Sequence, residues 1–376
     1  MIDARKVFRF DWVLLLLTLL LLTLGLVMIS SATANMQANV PLRDRPLPRQ
    51  VVFAALGLAV LAAVSIIPYR LWATWRWLLY ATILILLAGV QIAGRTHFGA
   101  TSWLEVFDLV GLQPSELAKI ALIVVLARYF ADHEDQVKRG SGVFLSLLIA
   151  APLLGLILAE PDMGTAAVLV AIWLGMLFVA GLRPHHIVIL ALAAVVLAPL
   201  VWTVMPGHAR ERIIMFLQPS SASSDQLYNV LQALISVGSG GLWGKGLYLG
   251  TQSQLSFLRV RHTDYIFAVL AEELGFVGSM VLLTLFAGLL LRIIRVGAKA
   301  TDAYGRLLAS GVATMIFVQV FINIGFHVRL LPVTGLPLPL LSYGGSSLIT
   351  TLIGLGLVES VSLHRRTKDD VGLDFS

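Results

Sequence analysis

Residues 12–31 read WVLLLLTLLLLTLGLVMISS, a run without a charged side chain, and Arg5, Lys6 and Arg9 precede it. At 1.5 Å per residue a helix of that length crosses roughly 30 Å, the thickness of a bilayer's hydrocarbon core. A cleavable leader is the competing reading, because Ala32-Thr33-Ala34 resembles a signal-peptidase site. The apolar run from Val13 to Ile29 exceeds the usual leader core of about 7 to 15 residues, and comparable runs follow it. We therefore read it as a retained first membrane helix.

Outward from that run the same pattern recurs in windows at 51–67, 72–93, 115–131, 143–159, 163–181, 185–205, 265–291, 305–329 and 340–362. The 376-residue chain is 58% hydrophobic and 13% charged, against about 25% charged in soluble domains. Short alternating segments, the mark of a membrane barrel, are not seen. The expected fold is an all-α integral membrane protein, a single polytopic domain over 1–376 with about ten transmembrane helices. The longest gap, 206–263, predicts a large extracytoplasmic loop between helices 7 and 8. Gly238, Gly240, Gly241, Gly244, Gly246 and Gly250 lie among apolar residues there, which suits a folded lid with short interfacial helices rather than a linker.

The formal charge of +6 is scattered over short loops instead of gathered on one face, which argues against a nucleic-acid partner. Basic residues are more numerous on one side of the predicted spans, among them Arg5, Lys6, Arg9, Arg70, Arg292, Arg295, Lys299, Arg365 and Arg366, than on the other, which holds Arg43, Arg45, Arg49, Arg95, Arg210, Arg212, Lys245, Arg259 and Arg261; the excess favours both termini and the 364–376 tail in the cytoplasm. With no cysteine, disulfides, thiolate catalysis and cysteine-ligated metals are excluded.

Ionisable side chains inside membrane helices usually face a cavity or a partner. In Gln113-Pro114-Ser115-Glu116-Leu117-Ala118-Lys119, Glu116 and Lys119 share a helix face; they either lock the bundle as an ion pair or line a site. In Glu160-Pro161-Asp162, Asp162 either caps a helix or helps bind a cation. In Arg261-His262-Thr263-Asp264-Tyr265, Asp264 opens the eighth span as a helix-start carboxylate or as a catalytic one, and His262 is a loop residue or a hydrogen-bond donor. Ser342-Tyr343-Gly344-Gly345-Ser346-Ser347 favours close packing, with Ser342 able to donate to a phosphate or sugar.

Together, QPSELAKI at 113–120, EPDMGTA at 160–166, GSGGLWGKGLYLGTQSQLSFL at 238–258, RHTDYIFAVLAEELGFVG at 261–278 and PLPLLSYGGSS at 337–347 resemble the SEDS family (shape, elongation, division and sporulation). The GTQSQLSFL wording resembles its RodA members more than its FtsW members. Gly99-Ala100-Thr101-Ser102-Trp103-Leu104 and Arg259-Val260-Arg261 depart from the family's wording.

The resemblance implies a peptidoglycan glycosyltransferase in the bacterial cytoplasmic membrane, with its site on the extracytoplasmic face. It would polymerise lipid II for cell elongation and rod shape and release undecaprenyl pyrophosphate. Asp264 would be the base. Arg49, Lys119, Arg210, Lys245 and Arg261 are candidate cations for the pyrophosphate. A divalent cation, Mg2+ or Mn2+, would assist, with Asp264 a possible ligand. The implied partners are a class B penicillin-binding protein, other elongation-complex membrane proteins and membrane lipids. A lipid II flippase using Glu116, Lys119 and Asp162 as its path, and a non-catalytic scaffold for a transpeptidase, are the alternatives.

Overall fold

The computed structural model describes residues 10–36, 41, 45–93, 95–97, 100–106, 110–218, 224–255, 257–258 and 261–365. Arg5, Lys6, Arg9, Arg259 and most of the 364–376 tail lie outside these residues.

Because lipid offers no hydrogen bonds, each spanning segment must satisfy its own backbone, and the apolar runs do so as helices. Among the described residues, seven helices are long and apolar enough to cross a membrane: Trp12–Thr33, Pro46–Ile66, Ser141–Ala159, Pro184–Val204, Ile266–Ala298, Ala303–His327 and Gly345–Leu363. Arg76–Ala93 and Met163–Val179 are shorter apolar helices. Pro114–Asp132 carries Glu116, Lys119, Arg128 and Asp132, and it runs through the interior with nearly every residue from Pro114 to Phe130 buried. In chain order these are the first to tenth spans of a multi-pass membrane protein.

Their starts carry recognisable signals. Asp11 caps the first span by accepting from the Leu14 amide at 3.1 Å, and Asp302 caps the ninth by accepting from Gly305 at 2.8 Å. Proline stands at the start of the second, fourth and seventh spans, where its missing N–H costs nothing.

Two boundaries differ from the windows. Tyr69–Thr74 forms a separate short helix after Pro68, so the third span begins at Arg76. The tenth begins at Gly345 because Pro337 and Pro339 interrupt the preceding backbone and Leu340 takes φ +65°. The all-α expectation needs one amendment: β1 (Arg95–His97), β2 (Ala100–Val106) and β3 (Val110–Leu112) form a small antiparallel sheet in the order β1-β2-β3 between the third and fourth spans.

The second and tenth spans pack through small residues. A side chain at Gly356 would meet the Leu61 carbonyl at 2.8 Å, and one at Gly345 the Phe53 ring at 2.9 Å. No residue in the apolar window of the seventh span is fully buried, and Leu190 is partly buried against the core, so this span lies at the edge of the bundle.

The 206–263 segment contains helices Gly207–Leu217, Ser224–Ser239 and Thr251–Gln254. It is anchored where the eighth span breaks at Gly275, with φ +67° and ψ −161°. The Glu272 and Glu273 carbonyls freed by the break accept from the Lys245 and Gly246 amides, both at 3.0 Å. In return, the Phe276 and Val277 amides donate to the Gly241 and Leu242 carbonyls at 2.8 and 3.1 Å. Gly244, at φ +79°, lies against the Glu273 backbone with no room for a Cβ. Gly244→Val combines overpacking with a strained φ, and it should cost more than about 2 kcal/mol. The check is the thermal midpoint in detergent; a midpoint equal to the parent's would show that the turn yields.

Candidate active site

The second, fourth, sixth, eighth and tenth spans all begin on the face that carries the 206–263 segment, and side chains stitch those starts together. Gln50, one turn into the second span, donates to the Ser342 carbonyl at 3.1 Å and accepts from the Gly344 amide at 3.2 Å. The Gln113 amide, just before the fourth span, donates to Ser346 Oγ at 2.9 Å. Its side chain reaches Asp162 Oδ2 at 3.5 Å, while Asp162 Oδ1 caps the sixth span by accepting from Thr165 at 2.9 Å. The Tyr343 amide, ahead of the tenth span, donates to the His262 carbonyl, ahead of the eighth, at 2.9 Å. Five helix N-termini thus converge, and their dipoles favour negative charge.

Asp264 sits half-buried in the turn 261–265, ahead of the eighth span. Burial pushes its carboxyl up to about 6, opposed by the Arg212 charge and a hydrogen bond from Thr263. Arg212 comes from the cap helix Gly207–Leu217, and its Nη1 donates to the Thr334 carbonyl at 3.1 Å. Between them lies Gly335: a Cβ built there would stand 3.7 Å from Asp264 Oδ2 and 3.9 Å from Arg212 Nη1. A carboxylate and a guanidinium therefore face one small gap floored by glycine. Gly164 of the sixth span abuts the same segment, 3.0 Å from the Thr334 carbonyl by the same measure.

The geometry permits proton removal by Asp264, since a carboxyl titrating near 6 is ionised at neutral pH yet basic enough to accept a proton. Burial and the neighbouring Arg261 push the His262 imidazole below its usual value, which leaves it neutral. Its ring lies 5.4 Å from that of Tyr343. Among the described residues no three histidine or carboxylate side chains gather as a metal cage. A lone carboxylate at Asp264 suits only a cation that takes its remaining ligands from substrate phosphates and water, a mode open to Mg2+.

The family model for the FtsW, RodA and SpoVE cell cycle proteins matches residues 11–367. The chain belongs to this family. It is 39% identical over 358 residues to the peptidoglycan glycosyltransferase MrdB of Escherichia coli K12, covering 95% of this chain and 94% of that one. A chain of a solved peptidoglycan synthase complex, described as coordinating polymerization and crosslinking, superposes with a TM-score of 0.81. That match has 34% identity and covers 94% of this chain and 97% of that one. The rod shape determining protein RodA of Thermus thermophilus gives 0.70 at 35% identity, covering 96% and 98%.

Of the residues singled out from the FtsW/RodA/SpoVE motifs, the structure brings Asp264, His262 and Ser342 together and ties Asp162 to the same ring of helix starts. Ser342 Oγ donates to the Thr263 carbonyl at 2.7 Å and accepts from the Leu338 amide at 2.8 Å, so it braces the turn. Arg49 lies one residue before Gln50, in the first turn of the second span.

Three of the candidate cations have other work. Lys245 pairs with the buried Glu272 carboxylate at 2.7 Å and pins the cap to the eighth span. Arg261 Nε donates to the Ala32 carbonyl at 2.5 Å. Arg210 Nη2 donates to the Thr203 carbonyl at 2.6 Å. The cation beside Asp264 is Arg212, which the motif reading did not select. Gln50, Gln113 and Asn323 were also missed, although a lone amide in an apolar run is a visible cost in the sequence.

Glu116 and Lys119 are both buried and form an ion pair at 2.7 Å. Lys119→Met alone strands a carboxylate in the bundle and should cost about 3–5 kcal/mol. Glu116→Gln with Lys119→Met removes both charges and should recover most of that stability. If the folded double variant keeps polymerising, Lys119 is a packing residue; loss of product would assign it to the pyrophosphate.

Proposed function

We propose that this chain is a peptidoglycan glycosyltransferase that polymerises lipid II. The observation carrying the reading is the shared gap of Asp264 and Arg212 beside Gly335.

In the proposed step, Asp264 accepts the proton of the acceptor's GlcNAc 4-hydroxyl as that oxygen bonds to the anomeric carbon of the donor's lipid-linked sugar. The bond from that carbon to the phosphate oxygen breaks, and undecaprenyl pyrophosphate leaves with the electron pair. Arg212 and the converging helix N-termini offset the charge that develops on the pyrophosphate. A divalent cation bound at Asp264 and the substrate phosphates would supply further charge neutralisation. The apolar surfaces between spans suit the polyprenyl tails.

Basic residues such as Arg70, Arg292, Arg295 and Lys299 on the opposite face support cytoplasmic termini, with the site on the extracytoplasmic side of the bacterial cytoplasmic membrane. Likeness to a synthase complex that couples polymerization and crosslinking supports a class B penicillin-binding protein as partner.

The test combines the purified chain, its cognate transpeptidase, lipid II and Mg2+ or Mn2+, with glycan strands resolved on a gel. Strands are expected from the parent protein. Movement of labelled lipid II between leaflets with no polymer would support a flippase, and absence of both would support a scaffold.

A further inference from the structure

We propose that the side-chain amide of Asn323 is the positioning group that sets the spacing between Asp264 and Arg212, an inference that rests on Asp264 being the base. Asn323 is fully buried near the end of the ninth span. Its Nδ2 donates to the Asp264 carbonyl at 3.2 Å and to the Leu336 carbonyl at 2.8 Å. An amide nitrogen has two hydrogens, so both bonds form together, and two carbonyl acceptors require nitrogen rather than oxygen at that corner.

The two carbonyls belong to different segments. One is the turn 261–265 that carries the carboxylate; the other is the irregular stretch that includes Thr334, which anchors Arg212, and Gly335, which floors the gap. One amide therefore joins the mounting of the acid to the mounting of the cation.

The opposite edge of Asn323 fits this role. Its Oδ1 is buried without a hydrogen-bond partner among the described residues. A buried polar atom left unsatisfied is a cost the fold carries, here in exchange for the two bonds on the nitrogen. His327 Nδ1 lies 2.6 Å from the Asn323 backbone carbonyl, which steadies the last turn of the span.

The experiment measures lipid II polymerisation, with kcat and KM resolved separately, for the parent, Asn323→Ala, Asn323→Ser and Gln319→Ala, each with the transpeptidase partner and Mg2+. Gln319 lies one turn earlier on the same helix face, and its buried amide touches neither carbonyl. Asn323→Ala should lower kcat about tenfold and leave KM for lipid II within about twofold. Asn323→Ser, which keeps one donor, should lie between Asn323→Ala and the parent. Gln319→Ala should keep the parent's kcat. An Asn323→Ala kcat equal to the parent's, a loss that falls on KM instead, or a Gln319→Ala kcat that drops equally overturns the proposal. If Asn323→Ala does not fold, as judged by its thermal midpoint, the kcat of Asn323→Ser decides in the same way. A parent protein that makes no polymer would instead defeat the glycosyltransferase reading itself.

Discussion

Asp264→Asn is expected to lower glycan-strand formation by about 10²- to 10⁴-fold, the usual contribution of a positioned general base. The substitution preserves shape and removes the proton acceptor, so lipid II binding should change little. In the parent enzyme the same group sets the pH dependence. Burial raises the carboxyl to about 6. The active form is the deprotonated one, so turnover should be full above that value and fall as pH drops through it. Asp264→Asn should lose this limb along with the rate. A variant that polymerises at the parent's rate, with the limb still present, would remove Asp264 from the chemistry.

The second large effect is expected at Arg212. Loss of a single preorganised donor to developing charge commonly costs about 10²- to 10³-fold, and Arg212→Gln should fall in that range. It should also shift the acidic limb upward, because the Arg212 charge opposes the burial that raises Asp264. Arg210→Gln is the matched comparison: that side chain donates to the Thr203 carbonyl, and its replacement should leave the limb unmoved. Equal losses from both substitutions, without a pH shift in either, would reduce the two arginines to a diffuse basic surface.

Glu116 and Lys119 were open between locking the bundle and lining a site; their 2.7 Å contact makes them a lock, whatever else they do. Lys245 is one of the candidate cations that the family resemblance implies for the pyrophosphate. In the fold it satisfies Glu272, a buried carboxylate that also accepts from the Gln252 and Ser253 amides at 2.9 and 3.2 Å. That demand came from the eighth span and was not visible from the lid's own sequence. Ser342 was offered as a phosphate or sugar donor, and its proton instead goes to the Thr263 carbonyl. For Lys245 and Ser342 the partner lies far along the chain, and spacing carries no information about it, whereas Glu116 and Lys119 are three residues apart and their shared helix face is visible in the sequence.

The positions of the spans were legible because hydrocarbon thickness dictates their length. Any apolar run of about twenty residues must close its own hydrogen bonds as a helix. The start of the tenth span was less so, since hydropathy does not register the prolines and the Leu340 backbone that hold 337–344 out of the helix. The sequence by itself therefore determined a bundle of membrane helices and the motif that holds the acid. Only the tertiary structure decided which cation faces that acid. Positions 210 and 212 of one short helix point about 200° apart, and which direction is inward depends on how the cap docks at the Gly275 break. That docking is a long-range backbone exchange, and no local pattern encodes it.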